Sequence, residues 1–404
     1  EFNPMREALG DIMATNPCVP ADTWVLTRYG ARQVHELVGE EFCATVDGKC
    51  YQVTSNGFFS TGVKPVLRVR TKRGYELRLT GNHQLKRVDK ESRYQQETSW
   101  VAAEELQPGD RISLQNHREA QGWSGKGSEN SGWLLGLLVG DGTFQTDKSK
   151  PMACLDIWGD EREELSRRAQ ELIRKETHPL EKLWVGTDTG DRIRLSSAGL
   201  AKLAQEFGIV PGSKTVTDEV EKASREFYRG FLRGLFDADG SVQGTQEKGV
   251  SVRLAQSDLE LLRRVQRMLA RLGIMSTLYE GRREAGTSVL PDGKGGTKAY
   301  PIRAQHELVI SNDNLQQFSE VIGFGIEEKA HRLEDQLQQY RRTFNRERFS
   351  DVIVEIVPDG EEEVFDVTVD VVHAFDANGI TAHNCGEIPL FPGEPCDLGA
   401  INLA

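Results

Sequence analysis

The chain has little cysteine, no basic excess and no long apolar run. Its six cysteines are scattered over 404 residues without dense spacing, which excludes a disulfide-stapled scaffold and suits a reducing compartment with individual reactive thiols. No apolar stretch approaches the ~18 residues of a membrane span. Residues 1–17 have no apolar core flanked by basic residues, so no signal peptide is expected. The formal net charge of -12 argues weakly against a purely nucleic-acid-binding protein. The acidity is uneven, however. Residues from about 131 to 350 are close to neutral and hold two arginine clusters: Arg263, Arg264 and Arg267, then Arg341, Arg342, Arg346 and Arg348. A neutral segment with such clusters can still bind DNA, although solvated helix faces explain either cluster alone.

What is present divides into three regimes. From Cys18 to about Ser113 the pattern is strand-like: Trp24–Thr27, Val66–Val69, Tyr75–Leu79 and Arg111–Leu114 are short β-favouring runs, separated by turn pairs such as Asp47-Gly48 and Pro108-Gly109. A polar, Gly- and Ser-rich stretch from Gln121 to Asn130 reads as a linker. From about Ser131 to Arg348 helices alternate with strands, Leu259–Leu272 having helical spacing and Val250–Leu254 reading as a strand. After Arg348 the β pattern returns in Val352–Val357 and Val364–Val369. The simplest topology is one β domain made of both ends, with a mixed domain inserted at a surface turn.

The middle segment repeats. Leu134–Gly142 resembles Leu232–Gly240, and Ser196, Leu200, Gly208 and Lys214 stand at the same offsets as Ser311, Leu315, Gly323 and Lys329. Ser196 falls 55 residues after Asp141 and Ser311 falls 72 after Asp239, so a 17-residue insertion, placed in the Gly-rich segment 281–297, reconciles the copies.

The ends of the β domain carry a second pattern. Cys18 opens one half, and His383-Asn384-Cys385 closes the other. Thr80-Gly-Asn-His83 supplies a T-x-x-H motif, and Val364–Val369 followed by His373, Phe375 and Asn378-Gly379 a C-terminal β motif. Together, in this order, they resemble an intein of the cysteine-dependent type. The resemblance implies that Cys18 attacks the carbonyl of Pro17 to form a thioester. It implies that Thr80 and His83 bond around that carbonyl and protonate the departing amine, that Cys385 then takes over the acyl group, and that Asn384 cyclises with His383 and His373 as acid and base. It also implies that Asp366 couples the steps by tuning the thiol. No cofactor is implied for splicing. A hedgehog-type autoprocessing domain shares the β fold and the T-x-x-H motif, but lacks the closing asparagine.

The duplicated nine-residue motif resembles the LAGLIDADG homing endonucleases. Small residues four apart, Gly136 with Gly140 and Gly234 with Ala238, lie on one helix face and let two helices pack closely. The resemblance implies that Asp141 and Asp239 meet at a pseudo-twofold axis, bind Mg2+ and activate water, with Lys214 and Lys329 stabilising charge. Val139 departs from the motif where the second copy has Asp237. A DNA-binding module with a dead nuclease is the rival reading.

The flanks, Ala14–Pro17 joined to Cys385–Leu390 and Cys396–Leu403, resemble the active-site loop of a ribonucleotide reductase large chain, most like the adenosylcobalamin-dependent class; that cofactor would serve the host only. The expectation is therefore a mainly β splicing domain (Hint, the hedgehog-intein horseshoe) at 18–125 and 349–384. Into it is inserted an α+β LAGLIDADG domain of two αββαββα repeats at 131–345, and host flanks lie at 1–17 and 385–404. The expected partners are double-stranded DNA and the flanks in cis, with no membrane; the chain is expected to be a cytoplasmic monomer.

Overall fold

The computed structural model describes residues 18–53, 57–92, 95–146, 150–188, 192–245, 249–291, 297–339 and 345–384. Pro17, Cys385, Cys396, Arg341 and Arg342 lie outside them. The chain separates into two compact units. One takes the residues up to Arg28 with Arg32–Asn116 and everything from Phe349; the other takes His117–Arg348 with Tyr29–Ala31.

The first unit is built on an open antiparallel sheet. Its order runs Ala374–Ala377, Ile380–His383, Gln84–Glu91, Arg111–Ser113, Ser350–Asp366, Phe59–Thr71, Glu76–Thr80. Alternation explains the strands: in Glu76–Thr80, Leu77 and Leu79 are fully buried while Glu76 and Arg78 are not. The 17-residue strand Ser350–Asp366 carries bulges between Ile353 and Glu355, Pro358 and Glu361, and Glu363 and Phe365. Each bulge bends the strand and raises its twist, so one segment pairs with Arg111–Ser113 near its start and with Val19–Pro20 near its end. The expected strand over Val364–Val369 is shorter: it stops at Asp366, whose carboxylate accepts the N–H of Val367 and turns the chain. A hairpin closes the unit. Asn378 and Gly379 take φ of 54° and 89°, as a tight turn between twisted strands requires. At the neck where the second unit leaves, Leu114 N donates to Phe349 O at 2.7 Å and Ser113 stands opposite Ser350.

The second unit contains the two copies as two αββαββα repeats. In the first, the helix Glu129–Asp141 leads into strands ordered Thr143–Gln145, Met152–Trp158, Arg192–Ser197, Trp184–Asp188. In the second, the helix Arg225–Asp239 leads into Gly240–Thr245, Gly249–Gln256, Gln305–Ser311, Thr277–Arg283. Helices Arg162–Glu176 and Leu259–Arg271 follow the second strand of each copy, and Ala198–Glu206 and Asn314–Val321 follow the fourth. The extra length of the second copy is a hairpin, Gly286–Pro291 with Thr297–Ile302. The stretch read as a linker is not a free one: Trp123 is buried and its indole N–H donates to Ala223 O at 2.9 Å. No helix among the described residues is long and apolar enough to cross a membrane.

The two motif helices cross on glycine. A methyl at Gly136 would strike the backbone of Phe231 and Leu235, and one at Gly234 the backbone of Trp133 and Leu137. Gly132 against Phe227, Gly230 against Glu129 and Gly140 against Ala238 extend this contact the full length of the pair. With no Cβ between them the backbones approach directly, so the helix ends carrying Asp141 and Asp239 come together. Asp237 is buried and accepts Trp133 Nε1–H at 2.8 Å and Gly325 N–H at 2.8 Å. Its counterpart Val139 is itself buried and carries no polar group to satisfy, so the motif's asymmetry is one of packing.

Candidate functional site

In the first unit, the strand pairing of Val19 with Phe365 fixes Cys18 at the head of the sheet. Cys18 is fully buried. Its backbone N–H donates to Thr80 Oγ1 at 3.0 Å. Its carbonyl oxygen accepts from Thr80 N at 3.0 Å and lies 3.1 Å from His83 Nδ1. The contacts expected with the Pro17 carbonyl lie outside the described residues; those described are with the N–H and carbonyl of Cys18. Burial pushes the His83 imidazole down to about 4, against the backbone carbonyl of Cys18 and the backbone of His383, which favour the charged form. The ring is therefore neutral near pH 7, with Nδ1 facing the Cys18 carbonyl.

The Cys18 sulfur lies 2.9 Å from Thr61 Oγ1 and 3.6 Å from Lys64 Nζ. Burial pushes the thiol up to about 11; Thr61 and Lys64 oppose that rise and the charge of Asp366 adds to it. Asp366 is itself buried, on the strand beside Cys18.

The C-terminal residues form the second half of this site. Asn384 is buried and its N–H donates to His373 O at 3.2 Å. Among the described residues neither polar atom of its side chain has a hydrogen-bond partner. His373 adopts φ 47°, and its ring lies 6.5 Å from that of His383, which packs edge-on to Trp100 at 4.7 Å. The fold thus gathers Cys18, Thr80, His83 and Asp366 at one end and His373, His383 and Asn384 at the other, with His83 adjoining both. Sequence reasoning missed Thr61, Lys64 and Trp100. Thr61 and Lys64 are three apart on a strand, a spacing that ordinarily sends side chains to opposite faces, so no periodic signal marked them.

In the second unit, the Asp239 carboxylate crosses to the first copy: a methyl at Gly140 would stand 3.1 Å from it. Burial and the neighbouring Asp141 push Asp239 up to about 6, and burial also raises Asp141. Lys214 Nζ donates to Gly140 O and Gly142 O, each at 2.7 Å, and Lys329 Nζ to Asp237 O at 2.6 Å. Each lysine thus holds the C-terminal carbonyls of its own motif helix. Burial lowers both ammonium groups, while Asp141 and Asp239 oppose this. No group of three or more His, Cys, Asp or Glu side chains spaced for a metal occurs among the described residues. Two carboxylates at a pair of helix C-termini nevertheless suit Mg2+, which takes one or two protein carboxylates when phosphate oxygens complete its shell. The arginine cluster is committed elsewhere: Arg264, Arg267 and Arg271 converge on the buried Glu221.

A family model, the LAGLIDADG-like domain, matches residues 226–323. The chain carries a LAGLIDADG-like domain. Over 95% of its length it is 26% identical to the ribonucleoside-diphosphate reductase NrdEB subunit alpha of Bacillus subtilis (strain 168), of which the match covers 37%. Over 97% it is 28% identical to the ribonucleoside-diphosphate reductase large subunit of Invertebrate iridescent virus 6, of which 38% is covered. It therefore spans somewhat over a third of the length of these relatives. A DNA polymerase of Thermococcus litoralis is 30% identical over 66% of the chain and 15% of its own length. Among solved structures, the homing endonuclease I-DmoI in complex with DNA and Ca covers 51% of this chain and 97% of its own, at 17% identity and a TM-score of 0.36. The Ssp DnaB mini-intein variant M86 carrying the G-1F mutation covers 91% and 99%, at 12% identity and a TM-score of 0.29. The LAGLIDADG-like domain, set within matches that run through reductase chains, supports an intein in a ribonucleotide reductase.

Proposed function

We propose that residues 18–384 excise themselves and join Pro17 to Cys385. In the first step Cys18 Sγ attacks the Pro17 carbonyl carbon. The C–N bond to Cys18 breaks, a thioester forms, and the Cys18 nitrogen leaves as an amine that needs a proton. Thr80 Oγ1, on the N–H of Cys18, is set to follow that nitrogen, and His83 holds the next peptide of the chain through the Cys18 carbonyl. Cys385 Sγ then displaces Cys18 from the thioester. Asn384 Nδ2 attacks its own carbonyl, releasing the Cys385 amine and leaving a C-terminal succinimide. Among the described residues its side-chain amide has no hydrogen-bond partner to hold it back from that approach. His383 and His373 exchange the protons. The freed amine takes the acyl group from sulfur to nitrogen, leaving an ordinary peptide bond.

The observation that carries this reading is His83, whose ring meets the Cys18 carbonyl and the backbone of His383. Cys18 and His383, which come from opposite ends of the unit, thus adjoin one imidazole. Intact mass spectrometry after incubation with reductant and chelator tests it. A free fragment of residues 18–384 and a ligated flank are expected, both abolished by Cys18→Ala and Asn384→Ala. An unchanged mass for the unaltered chain under all conditions would refute it.

The second unit reads as a site-specific nuclease acting on double-stranded DNA as a monomer in the cytoplasm. Its support is the meeting of Asp141 and Asp239 beside Lys214 and Lys329. Mg2+ bound there would activate water and neutralise phosphate charge. The residues themselves hold the two carboxylates at one point, and each lysine fixes its helix end. Cleavage of a plasmid bearing the uninterrupted reductase sequence, dependent on Mg2+ and lost in Asp141→Asn and Asp239→Asn, is expected. Binding without cutting would favour the rival DNA-binding module. The host belongs in this reading to an adenosylcobalamin-dependent reductase; the flank cysteines lie outside the described residues.

A further inference from the structure

Cys18 needs to be a thiolate to attack, yet it is fully buried. The strand Phe59–Thr71 answers this in an unusual way. Thr61 and Lys64 ought to point to opposite faces of a regular strand, but both reach the Cys18 sulfur, at 2.9 Å and 3.6 Å. Two features permit it. The register against Ser350–Asp366 slips between Glu363 and Phe365, opposite Ser60 to Val63. Gly62, between the two side chains, adopts φ 90°, which an L side chain rarely takes. A bulge of this kind re-aims a side chain beside a reactive group. Thr61 Oγ1 also donates to Val364 O at 3.3 Å, which anchors the bulge to the facing strand.

Among the described residues, two charges act on the sulfur most directly. Asp366 faces it from the strand Ser350–Asp366, and Lys64 from Phe59–Thr71. His83 approaches from the carbonyl side of Cys18, and Thr80 brings no charge from Glu76–Thr80. Glu362 stands opposite Lys64 in the register but is engaged by Arg78.

We infer that Lys64, aimed by the Gly62 bulge, is the positioning residue that favours the Cys18 thiolate against burial and Asp366, and so sets the rate and pH dependence of thioester formation. The inference rests on the splicing reading for its consequence, but its first claim concerns the thiol alone. An opposite charge at this range lowers a titration midpoint by about one unit or more. Losing it would cut the thiolate population below the midpoint by about tenfold per unit. The rate would fall less, by roughly three- to fourfold per unit, because a more basic thiolate is the stronger nucleophile.

The experiment uses the full chain bearing Asn384→Ala, with Lys64, Lys64→Met or Lys64→Arg. Ultraviolet thiolate absorbance, as a difference from the matching Cys18→Ala protein, gives the midpoint of Cys18. Thiol-induced cleavage after Pro17, followed across pH, gives the first step. Met should raise the midpoint by about one unit or more and slow cleavage below it, with the deficit closing at high pH; Arg, keeping the charge, should stay near the parent. An unmoved midpoint in the Met variant would overturn the inference. So would equal losses in Met and Arg, or a loss constant across pH, since both are marks of a purely structural role. If no chain cleaves at all, the splicing reading fails, while the absorbance titration still decides the claim about Lys64.

Discussion

Alanine at Gly136 sets two physical effects against each other. In an exposed helix interior, glycine to alanine stabilises by about 1 kcal/mol. Here the added methyl would sit 2.8 Å from Leu235 N and 3.0 Å from the carbonyl carbon of Phe231, as well as overlapping the Phe231 oxygen. These are backbone atoms of the other motif helix and cannot rotate away, so the helices must part. Overpacking of this sort costs about 3 kcal/mol, leaving a net loss of about 2 kcal/mol. For a unit of this size that is a fall of about 4–8 °C in its melting temperature. Gly234, its pseudo-twofold mate, meets Leu137 N at 2.9 Å and should lose the same amount. Gly286, with open space around it, serves as the control and should change little. Scanning calorimetry of the full chain reads all three. If Gly136→Ala or Gly234→Ala melted at or above the parent temperature, the close approach that brings Asp141 to Asp239 would be wrong.

Further tests bear on other parts of the molecule. Glu221 is fully buried, and Arg267 and Arg271 hold it below the ordinary carboxylate range despite that burial. Glu221→Ala should cost about 3–5 kcal/mol in urea unfolding, because it strands the buried Arg271 and the part-buried Arg267. A depressed carboxylate stabilises the fold above its unfolded midpoint, so this contribution should disappear as pH falls through the acid range. Asp239 has the opposite sign. Its midpoint is raised to about 6, so its contribution to stability falls as pH rises from the unfolded value toward and through 6. Mg2+ should therefore raise the melting temperature more above pH 6 than below it, and an equal shift at both would count against metal at this pair. Gly62→Ala meets no neighbour but must bear φ 90°, at about 1–2 kcal/mol. It should slow cleavage after Pro17 while leaving the Mg2+ response of the other unit unchanged. His83→Ala should suppress that cleavage more than it suppresses folding, as judged by circular dichroism.

Much of this was legible because it depends on local pattern. Alternation in Glu76–Thr80, helical spacing in Leu259–Arg271 and the matched offsets of the two copies all survive into the structure, since period and spacing act over a few residues. The extra hairpin sits where the copies fall out of step. Other features needed three dimensions. Lys64 reaches Cys18 only through a register slip, which leaves no trace in hydrophobic period. Trp123 looked like linker because its neighbours are glycine and serine, yet its ring is buried. The strand expected to run through Val369 ends at Asp366 because a side-chain hydrogen bond competes with the ladder. Arg264 and Arg267, read as surface charge, turn out to face a glutamate far away in sequence.

The neck at Leu114 and Phe349 bears on inheritance. The two strands there already pair as the arms of a hairpin, with Ser113 opposite Ser350. A turn of two to five residues can close such arms. A gene that lost everything between them in one deletion would encode a chain whose remaining sheet needs only a new turn. The second unit could thus enter, decay or vanish over generations without the sheet of the first being rebuilt, and each unit could be selected on its own account.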